Sequence, residues 1–460
     1  MQNEEQAKSP LSSDVPASSD VADPAELAEK IAKARAKSLD APKPESETPL
    51  PSEKKSKKPL FITIFIILFL VLAGGGGAAY YFLVYTPENS PVPSSQTSQE
   101  SPSSPETPEQ EKIEPEELPS EKFYSRLSGE PISSEAESSA PTYCVQIPNG
   151  LDGARPQAGL NSAKVVFEAI AERGITRFAA IFQNPPAVVG PIRSLRIYYF
   201  NWDRPFDCTI VHAGGANDAI SALRSSGAKE LDESTTYMWR TSANANLNRL
   251  WNNLFTSGDL MKSYNESKGY LSSNINSFPR MTPESALKNK INSQAVNPLK
   301  IDEPAPGDTN ELKPSVTHIN FRFGDIPSYN PVYDYDRESN TYRRSYETGA
   351  AHESYDCEGQ SGTITPELVC PLKQISPSAI IAMIVQEKVA AYDNYHEDVS
   401  SLGAGDAYIF QNGSLVKGTW EKSSADEQII FRNEAGETVS LIPGQTWISA
   451  VPAYGVINYE

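Results

Sequence analysis

The feature that most constrains this chain is an uncharged run of 26 residues, Leu60 to Tyr85, entered through Lys54, Lys55, Lys57 and Lys58. At about 1.5 Å per residue it makes a helix of roughly 39 Å, longer than a hydrocarbon core of about 30 Å. Lysines precede the run and the first charge after it is Glu88. The positive-inside rule therefore predicts a single-pass anchor with the N-terminus in the cytoplasm and the C-terminal domain extracytoplasmic. The alternative is a cleaved leader with Gly74–Ala79 as its small-residue cleavage zone; the 59 residues before the run, and the length of the run itself, favour an uncleaved anchor. No cysteine closes the run, which excludes lipid attachment at a Cys there. The glycines Gly74–Gly77 would let two such helices pack closely, although a plain anchor tolerates them as well.

The formal net charge is −19, and its distribution follows the anchor. Residues 1–59 carry 11 acidic and 10 basic side chains, a net of −1, so the remaining −18 lies on the outer side. An acidic exterior argues against nucleic acid as a partner, because phosphate contacts need a basic footprint, and it disfavours non-specific adhesion to anionic lipid or wall polymer. The tail, 1–59, is rich in Ala, Ser, Pro and Glu and is expected to be disordered, with Pro24–Leu39 as a marginal helix. Residues 86–141 hold ten prolines and twelve acidic side chains and are expected to form a semi-rigid stalk.

The 319 residues from 142 to 460 suffice for two ordinary domains. All four cysteines fall here, as suits an oxidising exterior. Cys357 and Cys370 bracket a Gly/Ser/Thr-rich loop whose closure by a disulfide would contribute about 3 kcal/mol. Cys144 with Cys208 is a possible second pair by elimination alone. There is no CxxC, and the His–Cys spacing fits no zinc signature, so neither a metal nor a cofactor is expected.

The expected class is α+β: a mixed α/β lobe over 142–280, a connecting helix and loop over 281–310, and a mostly antiparallel β lobe over 311–460. Residues 164–171 and 176–182 read as strands around a short turn, and 208–215 as a buried strand entering a glycine turn. A helix follows over 217–227, with Asn217 or Asp218 at its cap and Gly227 as its stop. Thr282 opens a further helix with a capping-box pattern. Beyond residue 314 the strand candidates alternate aromatic and β-branched residues, and Asn412-Gly413 between two extended runs is a hairpin turn. Tyr333, Tyr335, Tyr342, Tyr346, Trp420 and Trp447 fit a sugar-stacking face less well than a core.

Chemistry is suggested by a local charge anomaly. Between Arg155 and Arg204 stand seven basic and three acidic residues, +4 within a region of −18. Arginine's planar fork suits carboxylate or phosphate, and the Gly214-Gly215 turn opens a helix whose free N–H groups favour an anion. Arg155, Arg177, Arg193, Ser194, Arg196, His212, Gly214, Gly215 and Asn253 are the candidate ligand-binding residues; the competing reading pairs the arginines with nearby acids. His212, at a predicted strand end, is a candidate general base, and Glu168 its carboxylate partner or an acid. The plainer reading makes His212 a hydrogen-bonded core residue and Glu168 an ion-pair partner of Arg177. No nucleophile elbow, P-loop or HExxH helix is present.

The motifs ARPQAGL (154–160), RGITRF (173–178), GPIRSLR (190–196) and HAGG (212–215) resemble the N-terminal domain of the YerB-like bacterial cell-envelope family (domain of unknown function 3048). YDYDRESNTYRR, IIAMIVQ, GAGDAYIFQNG, GTWEK and PGQTWI resemble its C-terminal domain. The resemblance covers nearly all of 143–460 and implies an envelope location and a two-domain body, without an activity. Two departures are visible: Arg173-Gly174 stands where the family usually has Gly-Gly, and Asn252-Asn253 where it tends to carry His-Asn. Loss of that His favours a binding or accessory role over catalysis. The expected ligand is an acidic wall-related molecule or an envelope partner protein, with a wall-metabolic enzyme or a structural scaffold as alternatives; the oligomeric state stays open.

Overall fold

Period-two alternation of apolar side chains builds the architecture. The computed structural model describes residues 122–241, 252–294, 314–357, 370–390 and 395–460. The expected tail, the expected anchor and residues 86–121 of the expected stalk lie outside the described residues. In Tyr143–Pro148 (β1), Cys144 joins one buried cluster while Val145 and Ile147 join another. In Val165–Glu172 (β2) and Ile175–Phe182 (β3) the same division separates Val165, Phe167, Ala179 and Ile181 from Val166, Phe178, Ala180 and Phe182. A strand buried on both faces reads this way, and it belongs at the centre of a layered fold.

The remaining strands used below are Thr209–Val211 (β4), Glu230–Leu231 (β5), His318–Arg322 (β6), Pro331–Asp336 (β7), Thr341–Tyr346 (β8), Ala379–Val385 (β9), Gly403–Gln411 (β10), Ser414–Lys422 (β11), Ile430–Asn433 (β12), Thr446–Pro452 (β13) and Val456–Tyr459 (β14). Among the described residues, a ten-stranded sheet runs in the order β12-β11-β10-β9-β13-β2-β3-β1-β4-β5, and a four-stranded sheet in the order β8-β7-β6-β14. Helices Ile197–Asp203 (α1) and Asn217–Ser226 (α2) supply Tyr198, Tyr199, Trp202 and Leu223 to one face of the large sheet. The small sheet supplies Ile319, Phe321, Tyr333, Tyr335 and Tyr342 to the other. Helices Gly258–Lys268 (α3) and Pro283–Gln294 (α4) complete the layers.

The chain is thus mixed α+β and dominated by strands. The boundary expected at 281–310 does not divide the large sheet. β13 runs parallel to β2, with Ser449 opposite Glu168, so strands from both halves of the sequence form one ladder. All described residues fall in one compact unit, Ile113–Glu460. The expected stalk also ends earlier than residue 141. Phe123–Tyr124 pairs with Pro131–Ile132, Leu127 is fully buried, and Lys164 holds Glu130 at 2.7 Å.

Local signals explain the turns. The β2–β3 hairpin turns on Arg173 and Gly174, and β10–β11 on Asn412 and Gly413, all four at positive φ. Those two-residue loops match the twist of the flanking strands. Gly227 ends α2 in the left-handed conformation as expected, but the N-cap is Ala216 rather than Asn217 or Asp218. Thr282 Oγ1 accepts the Ser285 N–H at the start of α4. The predicted strand 208–215 is shorter, Thr209–Val211, because the chain bends into the turn at His212. Both expected disulfides, Cys144–Cys208 and Cys357–Cys370, are formed. The tyrosines Tyr333, Tyr335, Tyr342 and Tyr346, with Trp420 and Trp447, are buried and belong to the core.

Candidate functional site

A cleft of about 350 Å³ opens where β1 ends and the β2–β3 hairpin turns back. Its walls are the loop Asn149–Asp152, Glu172, Ile175 and Arg177 of the hairpin, then Arg193, Asn252, Tyr329 and Tyr395. A bulge in β2 between Ile170 and Glu172 sets its chemistry. Strict alternation would put Glu168 and Glu172 on one face; the extra residue shifts the phase. Glu168 consequently meets the small sheet, and Glu172 meets the start of α1.

Glu172 accepts ion pairs from Arg177, at 2.5 Å, and from Arg196. Arg177 also donates to the Ser194 carbonyl at 3.1 Å, and Arg196 to the Leu195 carbonyl at 3.1 Å. One buried carboxylate thus serves two guanidiniums. Burial lowers the Arg177 pKa, and the neighbouring Arg196 lowers it further. Arg193 is placed by its backbone, its N–H donating to Gln146 and its carbonyl accepting from Ala213. Its guanidinium lines the cleft and has no hydrogen bond or ion pair with a described residue. Burial lowers its pKa, while Asp152 and Glu172 raise it. Guanidiniums remain charged through such shifts. Among the described residues, Arg177, Arg193 and Arg196 here meet the two carboxylates Glu172 and Asp152, three cations to two anions.

Arg155 stands behind the wall. It donates to Asn149 Oδ1 at 2.7 Å and to the Ser328 carbonyl at 2.8 Å, and lies over the rings of Tyr346 and Tyr329 at 3.8 and 5.1 Å. It fixes Tyr329, which lines the cleft. Ser194 contributes its carbonyl to Arg177 and does not line the cleft.

Four expectations are corrected by this geometry. Glu168 pairs with Arg344, not Arg177: Arg344 Nη2 reaches both its oxygens at 2.9 and 2.8 Å, and both side chains are fully buried. Thr176 and Ser449 hydroxyls donate to the same carboxylate. His212 is fully buried and away from the cleft; its Nδ1–H donates to the Gly214 carbonyl at 2.9 Å, and none of its contacts is Glu168. The Gly214-Gly215 turn is already occupied by an internal anion, since the Gly214 N–H donates to Asp232 Oδ1 at 2.9 Å. Asn253 holds Arg240 and the Thr241 carbonyl instead of facing the cleft, while its neighbour Asn252 lines it and donates to Asp152 Oδ1 at 3.0 Å.

Sequence reasoning missed Glu172 as the shared partner, and Asp152, Tyr329 and Tyr395 as walls. The Gly150–Gly153 cluster after a strand was the available signal for Asp152. Tyr329 and Tyr395 are brought from far along the chain and carry no local signal. One group of metal-ligating side chains stands among the described residues, His212 with Glu230 and Asp232, outside the cleft. Among the same residues, no helix is long and apolar enough to cross a membrane.

Residues 127–271 match the model described as "Protein of unknown function (DUF3048) N-terminal domain", and residues 319–448 match its C-terminal domain. The chain is 30% identical over 306 residues to the "Putative lipoprotein YerB" of Bacillus subtilis (strain 168), covering 65% of this chain and 78% of that protein. The crystal structure of the YerB protein from Bacillus subtilis superposes with a TM-score of 0.55 at 24% identity, over 73% of this chain and all of that one, a likeness of fold. The two matched segments span more than half of the sequence, and the chain belongs to the DUF3048, or YerB-like, family of proteins of unknown function.

Proposed function

We propose that this is a membrane-anchored, extracytoplasmic binding protein whose cleft receives an acidic group, carboxylate or phosphate, of a wall-related molecule or of a partner protein. The observation that carries the reading is Arg193: a partly buried guanidinium, facing an open cleft, with no ion pair to a carboxylate among the described residues. Arg177 and Arg196 share Glu172, so the corner keeps one positive charge in excess for a ligand. Asn252 and the Asn149–Asp152 loop add polar groups, and Tyr329 and Tyr395 add ring faces, the mixture expected of a small-ligand site. Two disulfides suit an oxidising compartment. The relative's name speaks of a lipoprotein, which supports attachment to the outer membrane face; for this chain the Lys-flanked run 60–85 would supply a single-pass helix.

The enzymatic alternative, with His212 and Glu168 in acid–base roles, is not favoured by their positions. Each is buried and neither lines the cleft. The scaffold reading accounts for Arg155, Arg177 and Arg196, whose partners are internal, but leaves Arg193 unexplained. The test is calorimetric titration of the detergent-solubilised full chain with uronic-acid and glycerol-phosphate oligomers beside neutral sugars. Saturable binding of one anionic class, weakening as salt rises, supports the reading. Equal response to neutral sugars, or none to either anion, refutes the anion site.

A further inference from the structure

We infer that His212, Glu230 and Asp232 form a site for a divalent metal ion of the zinc class, separate from the cleft. β4 and β5 run parallel with Ile210 opposite Glu230, and the His212 N–H bonds to the Leu231 carbonyl. That register brings the three side chains together beneath α2. Their ligand atoms lie within 4.8 Å of one another.

The imidazole is prepared for a cation. Its Nδ1 faces a carbonyl, which can only accept, so the proton sits on Nδ1. In the neutral ring Nε2 then carries a lone pair. That atom is buried and has no hydrogen-bond partner, and it lies 3.4 Å from Glu230 Oε1. Two tetrahedral ligands on zinc, with bonds near 2.0–2.1 Å, stand about 3.3 Å apart. The Nδ1–H···O=C bond is the outer contact that commonly orients a metal-bound imidazole. Asp232 has the same kind of support: its Oδ1 accepts the N–H groups of Gly214 and Glu233, leaving Oδ2, which here accepts from Arg224, to bind the ion.

Arg224 occupies the place of the cation. Its guanidinium bonds Glu230 Oε1 at 2.8 Å and Asp232 Oδ2 at 3.2 Å from a side chain that is 55% exposed. An exposed arm can swing away at little cost, so metal and guanidinium compete for the same two carboxylates. One imidazole and two carboxylates suit zinc or manganese better than calcium, which prefers oxygen alone.

The experiment titrates the chelator-treated full-length chain with zinc chloride by calorimetry, with calcium chloride beside it. The site predicts saturable binding of one equivalent of zinc and little of calcium. Glu230→Gln and Asp232→Asn, both partly exposed and checked for folding by circular dichroism, each weaken it at least tenfold. Arg224→Ala, which only removes the competitor, tightens it several-fold. No saturable binding by the wild-type chain and by Arg224→Ala overturns the inference. So does zinc binding that the two carboxamide variants leave unchanged, because the ion then sits elsewhere on the acidic surface.

Discussion

Three arginines within twenty residues, Arg177, Arg193 and Arg196, differ in role because of what faces each one. Arg177 and Arg196 neutralise a carboxylate that is 5% exposed, whereas Arg193 faces open space. Arg196→Ala should cost several kcal/mol, since it strips a charged partner from Glu172, while Arg193→Ala should stay within about 0.5 kcal/mol, both by denaturant unfolding. The Glu168–Arg344 pair is the strongest case. Arg344→Met leaves a buried carboxylate without its cation and is expected to lose about 3–5 kcal/mol; Glu168→Gln combined with Arg344→Met should recover much of that loss. Recovery would be absent if the two side chains acted independently. His352 completes this buried network. Burial holds its pKa well below the usual range, with Arg344 adding to the effect, so the ring is neutral and accepts from Arg344. The local charge excess singles out the arginines of the first lobe, yet the pairing is illegible: Glu168 and Arg344 are 176 residues apart, and no local pattern states which charges meet.

At the scale of elements, legibility followed sequence distance. The hairpin at Asn412-Gly413 and the one around the short turn between 164–171 and 176–182 form where expected, because turn chemistry is local. The parallel β13–β2 ladder was not foreseen, since nothing in either strand names its neighbour. The β2 bulge, which decides where Glu172 points, was equally silent. A further element carries a pH prediction. Strand Glu387–Val389 pairs with Glu397–Val399, setting Val389 opposite Glu397 and Glu387 opposite Val399, so two acids face each other diagonally. Burial, reinforced by Glu387, raises Glu397 to about 7 from an ordinary 4.5. A raised carboxylate pKa means the folded state holds the proton more tightly. Its contribution is full below about 4.5 and is lost as pH rises through about 7. Hydrogen-exchange protection factors in these strands should therefore fall between pH 5 and pH 8 in the wild type and stay level in Glu397→Gln. A fall of equal size in both would assign the loss to other groups.

For the body as a whole, the continuous sheet means that the two family domains are not two folding units. Separating the chain at residue 300 would expose the β2 and β13 edges and strand the Glu168 and Arg344 charges. Each half expressed alone should aggregate or show no cooperative melt, and co-expression should restore a soluble complex; two halves that melt cooperatively apart would contradict this. Reduction of the disulfides should lower the melting temperature as well, since loops of 64 and 13 residues are closed at about 4 and 3 kcal/mol respectively. The class, the disulfides and the arginine-rich corner were readable from composition and motifs. A change of pattern marks 281–310 in the sequence, and a sheet spanning it leaves no mark in either half.

In the proposed function, Arg193 is the cation that the cleft keeps for its ligand. The most direct measurement follows the thermal shift of the detergent-solubilised full chain with anionic wall fragments, in the wild type and in Arg193→Ala. The prediction is stabilisation of the wild type by RT ln(1 + [L]/Kd), largely lost in the variant, while the melting temperature of the free variant is unchanged. Equal stabilisation of both proteins, or a variant that melts far below the wild type before any ligand is added, would contradict it and make Arg193 one more internal strut.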